Sequence, residues 1–165
     1  MNWLLELFKN FPPELATFLV SIVPIGELRA GLPLALEVFH LPLWKAFLFS
    51  VAGNFFPVIF ILLFLEKVSN FLRRWKKWDR FFNWLFNRTR NKFNGKYVTL
   101  GSLALVIFVG IPLPMTGAWT GALAAFLFCI PKFRASILIL LGIVLAGIIV
   151  TLADLGIVSV FRVFL

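Results

Sequence analysis

"VPIGELRAGLP", residues 23–33, places Glu27 and Arg29 two residues apart within a long apolar stretch. Apolar sequence continues on both sides, so the segment does not resemble a solvent-exposed loop. Two prolines and two glycines surround the charged pair, and both residue types interrupt helices. The segment therefore predicts a broken apolar helix that carries two ionisable side chains at membrane depth.

The composition indicates a membrane protein. The chain is 61% hydrophobic and 14% charged, whereas about a quarter of the residues of a soluble domain are charged. Residues 46–65 and 135–153 contain no charged side chain. Each run has about 20 residues, enough for a helix to cross a hydrocarbon core of about 30 Å. We therefore expect an all-α, polytopic membrane protein.

Several other classes are excluded or disfavoured. Glu6 and Glu14 lie where a signal peptide would carry its basic region, so no cleavable signal is expected. Cys129 is the only cysteine and His40 the only histidine, which excludes an intrachain disulfide and the common zinc sites. The sequence shows no nucleophile–base set. We expect no enzymatic activity, no cofactor and no metal.

Two other apolar stretches, residues 15–38 and 98–130, are interrupted near the middle by proline and glycine. The second stretch would be about 50 Å long as one helix, which is too long for one span and too short for two. A re-entrant helical hairpin, which enters and leaves on the same side, fits this length. Such backbone is tolerated where it lines a cavity or is buried in protein.

The two interruptions resemble each other. Pro24 and Gly31 align with Pro114 and Gly121, the link 41–46 resembles 130–135, and Gly53 then aligns with Gly142. We therefore predict a single membrane domain in which a re-entrant hairpin plus a transmembrane helix occurs twice. Its predicted parts are repeat one at about 15–65, a connector at about 66–97, repeat two at about 98–154 and a short tail at 155–165. The predicted hairpin breaks contain Pro24, Gly26, Gly31, Pro33, Pro112, Pro114, Gly117 and Gly121.

Each repeat would cross the membrane once, so the second would be inverted relative to the first. The connector and residues 132–134 together hold twelve cations, whereas Lys9, Lys45 and Arg162 would lie on the other face. The positive-inside rule then places the connector in the cytoplasm and both termini outside. Within the connector, aromatic and basic residues alternate with helical spacing. This pattern predicts an amphipathic interfacial helix bound to anionic headgroups rather than to nucleic acid.

Glu27 and Arg29 have two interpretations. They could form an ion pair that stabilises the hairpin tip. Alternatively, they could form a substrate site in which Arg29 and free helix N–H groups face an anionic group, with Glu27 as the coupling or gating acid. Asn54 is the one strong polar group of the first span. It could make a structural hydrogen bond, or it could have a role in the transport pathway. The second hairpin offers the polar groups of Thr116, Trp119 and Thr120.

Residues 24–33, 53–57 and 112–123, together with the basic Arg-Thr-Arg at 88–90, resemble the putative small multidrug export protein family, a short relative of the DedA/VTT group of lipid translocases. The resemblance spans about residues 15–154. It implies two membrane-embedded hairpins that face each other in a prokaryotic inner membrane. It also implies that Glu27 and Arg29 match the acidic and basic hairpin residues of DedA-type proteins. Met115 stands where the family commonly has glycine.

Together these observations predict a small transporter that forms homo-oligomers, since one short chain offers few walls for a pathway. The expected substrate is an amphipathic anionic lipid, such as a polyprenyl phosphate or a phospholipid, with proton coupling as an option. One alternative is an exporter of amphipathic cationic drugs, in which Glu27 binds the cation. A further alternative is a membrane scaffold that transports nothing.

Overall fold

The computed structural model describes residues 11–76, 79–80, 83, 96–112, 116–128 and 130–164, and every regular element within these ranges is helical. A short π-helix, Leu34–Val38, directly follows the second α-helix. The α-helices, numbered here in chain order, are α1 (Pro13–Ile22), α2 (Glu27–Pro33), α3 (Leu43–Leu72), α4 (Lys96–Gly110), α5 (Ala118–Leu127) and α6 (Lys132–Phe164).

Two of these helices are long and apolar enough to cross a membrane. They are α3, with 30 residues, and the Lys132–Gly156 part of α6, with 25 residues. Both predicted spans lie within them, so the all-α class with two candidate spans is confirmed. Helix α3 continues to Leu72, past the predicted boundary at residue 65, and α6 continues through most of the predicted tail.

The chain forms two compact units. Unit 1 contains the residues up to Asn54 and those from Ala146 onward, and unit 2 extends from Phe55 to Leu145. Each unit therefore contains one pair of short helices and the first part of the long helix that follows them. Each also contains the last part of the other long helix.

In unit 1, α1, the turn at 23–26, α2 and the π-helix form a broken hairpin, called hairpin 1 below. Helix α1 has proline at its N-terminus, where a missing N–H is harmless, and it ends before an extended Val23. Lys45 Nζ donates a hydrogen bond of 2.9 Å to Glu14 Oε1, so the starts of α1 and α3 lie side by side. At about 1.5 Å per residue, each arm of the hairpin is about half as long as a membrane is thick.

Ser21 of α1 lies between two glycines of neighbouring helices. A Cβ atom at Gly31 of α2 would meet Ser21 Oγ, and one at Gly53 of α3 would lie 2.9 Å from Ser21 Cβ. The Phe18 carbonyl also lies against Gly53. Because both α1 contacts with α3 and the Glu14–Lys45 pair follow the same chain order, α1 and α3 run parallel. The start of α3 therefore lies beside the start of α1, at the end of hairpin 1 opposite its tip.

Unit 2 has the same internal arrangement. Helix α4, the break at 111–117 and α5 form hairpin 2, and Val109 of α4 lies between Gly121 of α5 and Gly142 of α6. The Val106 carbonyl lies 3.0 Å from a Cβ built at Gly142. Val106 precedes Val109 by the same three residues that separate Phe18 from Ser21. The alignment of Gly31 with Gly121 and of Gly53 with Gly142 thus has matching contacts in the two units.

The π-helix accommodates one additional residue in hairpin 1. Leu41 N–H donates to the Ala35 carbonyl six residues earlier, whereas Ile130 N–H donates to the Ala125 carbonyl five residues earlier. The second pattern is an ordinary helix C-cap. After each cap, Pro42 or Pro131 begins the next long helix by accepting a hydrogen bond from the N–H group four residues later. A π-helical turn contains one more residue than an α-helical turn, so a helix can include an extra residue while its two ends stay in place.

The start of the predicted connector helix has a different form. Helix α3 ends at Leu72 and a turn follows, in which Arg73 Nε donates 2.9 Å to Asp79 Oδ1 and Arg73 Nη2 donates 2.9 Å to Asn83 Oδ1. These bonds fix the turn, while Phe71 and Trp75 expose their rings and contact each other edge to face. The other apolar positions of the predicted amphipathic helix, Trp78, Phe82 and Leu85, lie outside the described residues.

We expect Gly53→Ala and Gly142→Ala each to lower the free energy of unfolding by about 1–3 kcal/mol, as overpacking of a core does. The added methyl group meets a backbone carbonyl at both positions, and a carbonyl cannot rotate away as a side chain can. Titration with SDS in mixed micelles measures the change. The matched control is Gly156→Ala on α6, which meets nothing within 4 Å and should stabilise the helix slightly. Equal behaviour of the three variants would contradict the close packing.

The Glu14–Lys45 pair predicts a dependence of stability on pH. The hydrogen bond from Lys45 holds the pKa of Glu14 below its ordinary value of 4.5, and a bond to the backbone of Glu14 acts in the same direction. A lowered carboxyl pKa adds stability that is complete above pH 4.5 and is lost as the pH falls through the folded value. The Tm of the wild type should therefore decrease more steeply below pH 4.5 than the Tm of Glu14→Gln. Asp79→Asn removes an acid from a different ion pair. The Tm of this control should depend on pH below 4.5 as the Tm of the wild type does.

Candidate functional site

Glu27 occupies a strained and buried position at the tip of hairpin 1. Its residue is 6% exposed, and its backbone φ is +50°, in the left-handed region. Its N–H group donates 2.8 Å to the Val23 carbonyl and closes the turn. A left-handed non-glycine residue costs about 1–3 kcal/mol, and such residues cluster at functional sites.

His40 has the same φ of +50°, and its position explains the strain. It follows the last residues of the π-helix and precedes Leu41, whose N–H group caps the helix. A left-handed residue is usual at this place, and histidine is among the residue types that tolerate it. Glu27 instead begins a helix, where no such cap requires a positive φ. The conformation of Glu27 therefore has no explanation from helix termination.

Arg29 lies two residues after Glu27 on α2, and it is half-buried where Glu27 is buried. Leu28, between them, is 1% exposed and contacts the position of Gly147 on α6 within unit 1. Packing of Leu28 thus fixes the segment of α2 that carries both charges. Glu27 is thus buried, whereas Arg29 is partly exposed.

Asn54 lies in unit 1 with these residues, on the face of α3 that follows Gly53. It is 3% exposed, and its Oδ1 atom has no hydrogen-bond partner. Ser50, one turn earlier on the same face, is fully buried and its Oγ atom also lacks a partner. Pro57 lies on this face as well, and its ring nitrogen has no hydrogen to donate to the Gly53 carbonyl. The interpretation of Asn54 as a satisfied structural hydrogen bond is therefore not supported at its oxygen atom.

Thr116, Trp119 and Thr120 belong to unit 2. Thr116 Oγ1 donates 2.9 Å to the Ile111 carbonyl across the break, and Thr120 Oγ1 donates 3.2 Å to the Gly117 carbonyl. Both hydroxyl protons therefore stabilise hairpin 2 locally. A role of these three residues in substrate binding stays a prediction.

The predicted break residues divide into two groups. Pro24, Gly26, Pro112 and Gly117 lie in the breaks, and Gly117 has a φ of 135° that favours glycine. Gly31 and Gly121 were expected in the breaks but lie within α2 and α5, where they allow close helix packing. Pro33 is the last residue of α2, and the chain continues as the π-helix. Pro114 and Met115 lie outside the described residues.

Three polar positions were not predicted as sites. Ser50 could have been found from its spacing, since it lies four residues before Asn54 and hence on the same helix face. Thr151 and Asp154 on α6 each have a buried side-chain oxygen without a hydrogen-bond partner, and Glu37 lies close enough to act electrostatically on Asp154. Among the described residues, no cluster of three His, Cys, Asp or Glu side chains could hold a metal ion.

Unit 2 contains an apolar groove between α4 and α5, with a volume of about 340 Å³. Small residues form its floor and two phenylalanines flank it. The lining residues are Gly101, Ala104, Leu105, Phe108, Ala124 and Phe128. The groove therefore offers hydrocarbon contacts rather than polar ones.

A family model described as "Putative small multi-drug export protein" matches residues 27–149. This range begins at the strained glutamate, directly after the turn of hairpin 1, and includes the break of hairpin 2, the two close-packed glycines of the long helices and the first part of α6. No curated protein and no solved structure matches the chain. Since the matched range covers more than half of the sequence, the chain belongs to the small multi-drug export protein family.

Proposed function

We propose that this protein is an ion-coupled transporter of amphipathic molecules, with hairpin 1 as its binding and coupling element. The observation that carries the proposal is Glu27, a buried acid in a strained conformation at the tip of a broken helix. Ionisable residues at membrane depth mark substrate and ion pathways, and broken helices form the binding sites of many transporters. Membership of an export family supports the same class of function.

Glu27 acts as the coupling acid in this proposal. Burial makes its charged form costly, so occupation by a cation or a proton changes the energy of the hairpin strongly. The left-handed backbone holds the tip in a conformation that a small rearrangement can release. Binding of the coupling ion is thereby linked to movement of α2.

Arg29 contacts the polar end of the substrate. Arg29 is half-buried, whereas Glu27 is buried, so Arg29 is the more accessible of the two charged residues. A guanidinium binds phosphate through two parallel hydrogen bonds, so an anionic lipid such as a polyprenyl phosphate or a phospholipid fits this residue. Unit 2 by itself has an apolar groove, which supports a substrate class that carries hydrocarbon.

Export of amphipathic cations is the second candidate function, and the description of the family favours it. In that mechanism Glu27 binds the cationic substrate directly, and Arg29 repels it. The two candidates therefore assign opposite roles to the two charged residues, and substitution of each can separate them.

Both hairpins are re-entrant and the two repeats inverted in our proposal. The matching contacts around Ser21 and Val109 support a duplicated unit, and the short hairpin arms support re-entry. We also propose a homo-oligomer, because apolar side chains are exposed along both spanning helices. We further propose that its basic connector binds anionic lipid. The relationship to DedA-type proteins and the absence of enzymatic activity stay predictions.

Substitutions of Arg29 and Glu27 test the substrate class. In proteoliposomes with a labelled polyprenyl phosphate, Arg29→Ala should abolish flipping. Arg29→Lys should reduce it by at least about tenfold, the equivalent of one charge-assisted hydrogen bond. Glu27→Gln should abolish coupling but retain headgroup binding. Arg134→Ala, at an exposed cation of α6, is the matched control and should flip lipid at the wild-type rate.

The same variants distinguish the alternatives. For a cation exporter, Glu27→Gln should abolish binding and Arg29→Ala should strengthen it. For a scaffold, Glu27→Ala and Arg29→Ala should lower the folded yield, since each leaves a charge without its partner. Well-folded Arg29→Ala protein with undiminished lipid flipping would exclude the lipid function.

Cysteine accessibility tests the topology on a Cys129→Ser background. Pro42→Cys should react with an impermeant maleimide from outside the cell, whereas Lys132→Cys should react only after permeabilisation. Both positions are exposed ends of long helices, so neither is protected by packing. Labelling of Lys132→Cys from outside would show that hairpin 2 spans the membrane and that the inverted arrangement is wrong.

A further inference from the structure

The interface between α1 and α3 in unit 1 is polar, although it is fully buried. Thr17 and Ser21 of α1 and Ser50 and Asn54 of α3 are all buried. Thr17 and Ser21 hydroxyls donate 2.8 Å to the carbonyls four residues earlier, of Pro13 and Thr17. Ser50 Oγ makes no hydrogen bond, and Asn54 Oδ1 accepts none. The two α3 oxygens are thus left for another partner.

Unit 2 provides an internal comparison for this interface. The matching contacts place Val109 where unit 1 has Ser21, and they place Gly142 where unit 1 has Gly53. With the same spacing from these residues, four buried apolar side chains replace the four polar ones of unit 1. In the order of their counterparts above, they are Leu105, Val109, Ile139 and Ile143. Packing of this helix interface therefore does not require polar groups.

Buried polar atoms without partners destabilise a protein, so their presence in only one copy needs another cause. Both atoms are oxygens, and the residues that carry them lie one helical turn apart on the same face of α3. Asn54 and Glu27 lie on the same side of Ser21, toward the tip, because α1 and α3 run parallel and α2 begins at the tip.

We infer that Ser50 Oγ and Asn54 Oδ1 form part of a site for a small monovalent cation, sodium. Hard cations bind to oxygen ligands, and an amide oxygen such as that of Asn54 is one that they commonly use. The site lies within unit 1 and consists of groups that unit 2 lacks. Only the assignment of sodium as the coupling ion rests on the proposed function. Binding of sodium to this site can be measured without any transport.

Sodium binding can be measured on the full-length protein in detergent without any substrate. Replacement of choline chloride by sodium chloride at constant ionic strength should raise Tm by about 5 °C, as expected when the ion concentration is well above Kd. Potassium chloride should have a smaller effect. Asn54→Leu and Ser50→Ala should both abolish the sodium-dependent shift. Thr151→Val, which removes another buried hydroxyl of unit 1 without a partner, should retain it.

Two results would overturn the inference. A wild-type Tm that does not depend on sodium would show that these oxygens bind an ordered water only. An unchanged sodium shift in Asn54→Leu would place the ion elsewhere. If Asn54→Leu fails to fold, calorimetric titration of sodium into the wild type and into Ser50→Ala decides the question.

A transport assay separates this site from the proposed function. Sodium-dependent stabilisation together with no transport of any tested amphipathic substrate would leave the site intact and contradict the proposed function. Full-rate transport in sodium-free proteoliposomes would support the proposed function and show that sodium is not the coupling ion.

Discussion

The structure of each unit depends on the close approach of the first hairpin arm to a glycine of the following long helix. At Gly53 and at Gly142, a backbone carbonyl and one side chain of the arm occupy the space that a Cβ atom would fill. The same side chain, Ser21 or Val109, also contacts a glycine of the second arm. One residue thus holds three helices together without a bulky core. This is the packing expected where helices associate through small residues and van der Waals contact rather than through the hydrophobic effect.

The two copies keep this contact while their lengths differ around it. Twelve residues separate Val109 from Gly121, two more than separate Ser21 from Gly31, so hairpin 2 has the longer break. Hairpin 1 instead has its extra residue in the π-helix, between Ala35 and Leu41. Both changes lie in segments that connect the contacts and not in the contacts themselves. Insertions are tolerated there because neither a turn nor a π-bulge shifts the register of the packed helices.

The sequence predicted the helical class and the two long helices well, because 20 uncharged apolar residues have few alternatives to a spanning helix. It also aligned Gly31 with Gly121 and Gly53 with Gly142, and these pairs make matching contacts in the two units. The role of Gly31 and Gly121 could not be read from the sequence, since glycine in an apolar sequence can break a helix or allow its close packing. Only the distance to Ser21 or Val109 distinguishes these roles. The alignment of Pro24 with Pro114 also overlooked the longer break of hairpin 2. For the site, charge alone indicated Glu27 and Arg29, whereas the importance of Ser50 depends on a hydrogen bond that its hydroxyl does not make.

The difference between the copies explains where function can reside in so small a chain. Because corresponding helix interfaces occur in both units, a comparison of the units shows which side chains the packing requires. In unit 2 the corresponding side chains are all aliphatic. The polar and charged groups of unit 1 are therefore additions to a scaffold that is stable without them. They reduce stability through burial, and Glu27 adds backbone strain at the same end of the hairpin. A unit that carries such costs is more easily shifted between conformations by a bound ion than its apolar copy. We therefore expect a bound ion to shift the conformation of hairpin 1 more than that of hairpin 2, because a ligand shifts only an equilibrium whose two states it binds differently.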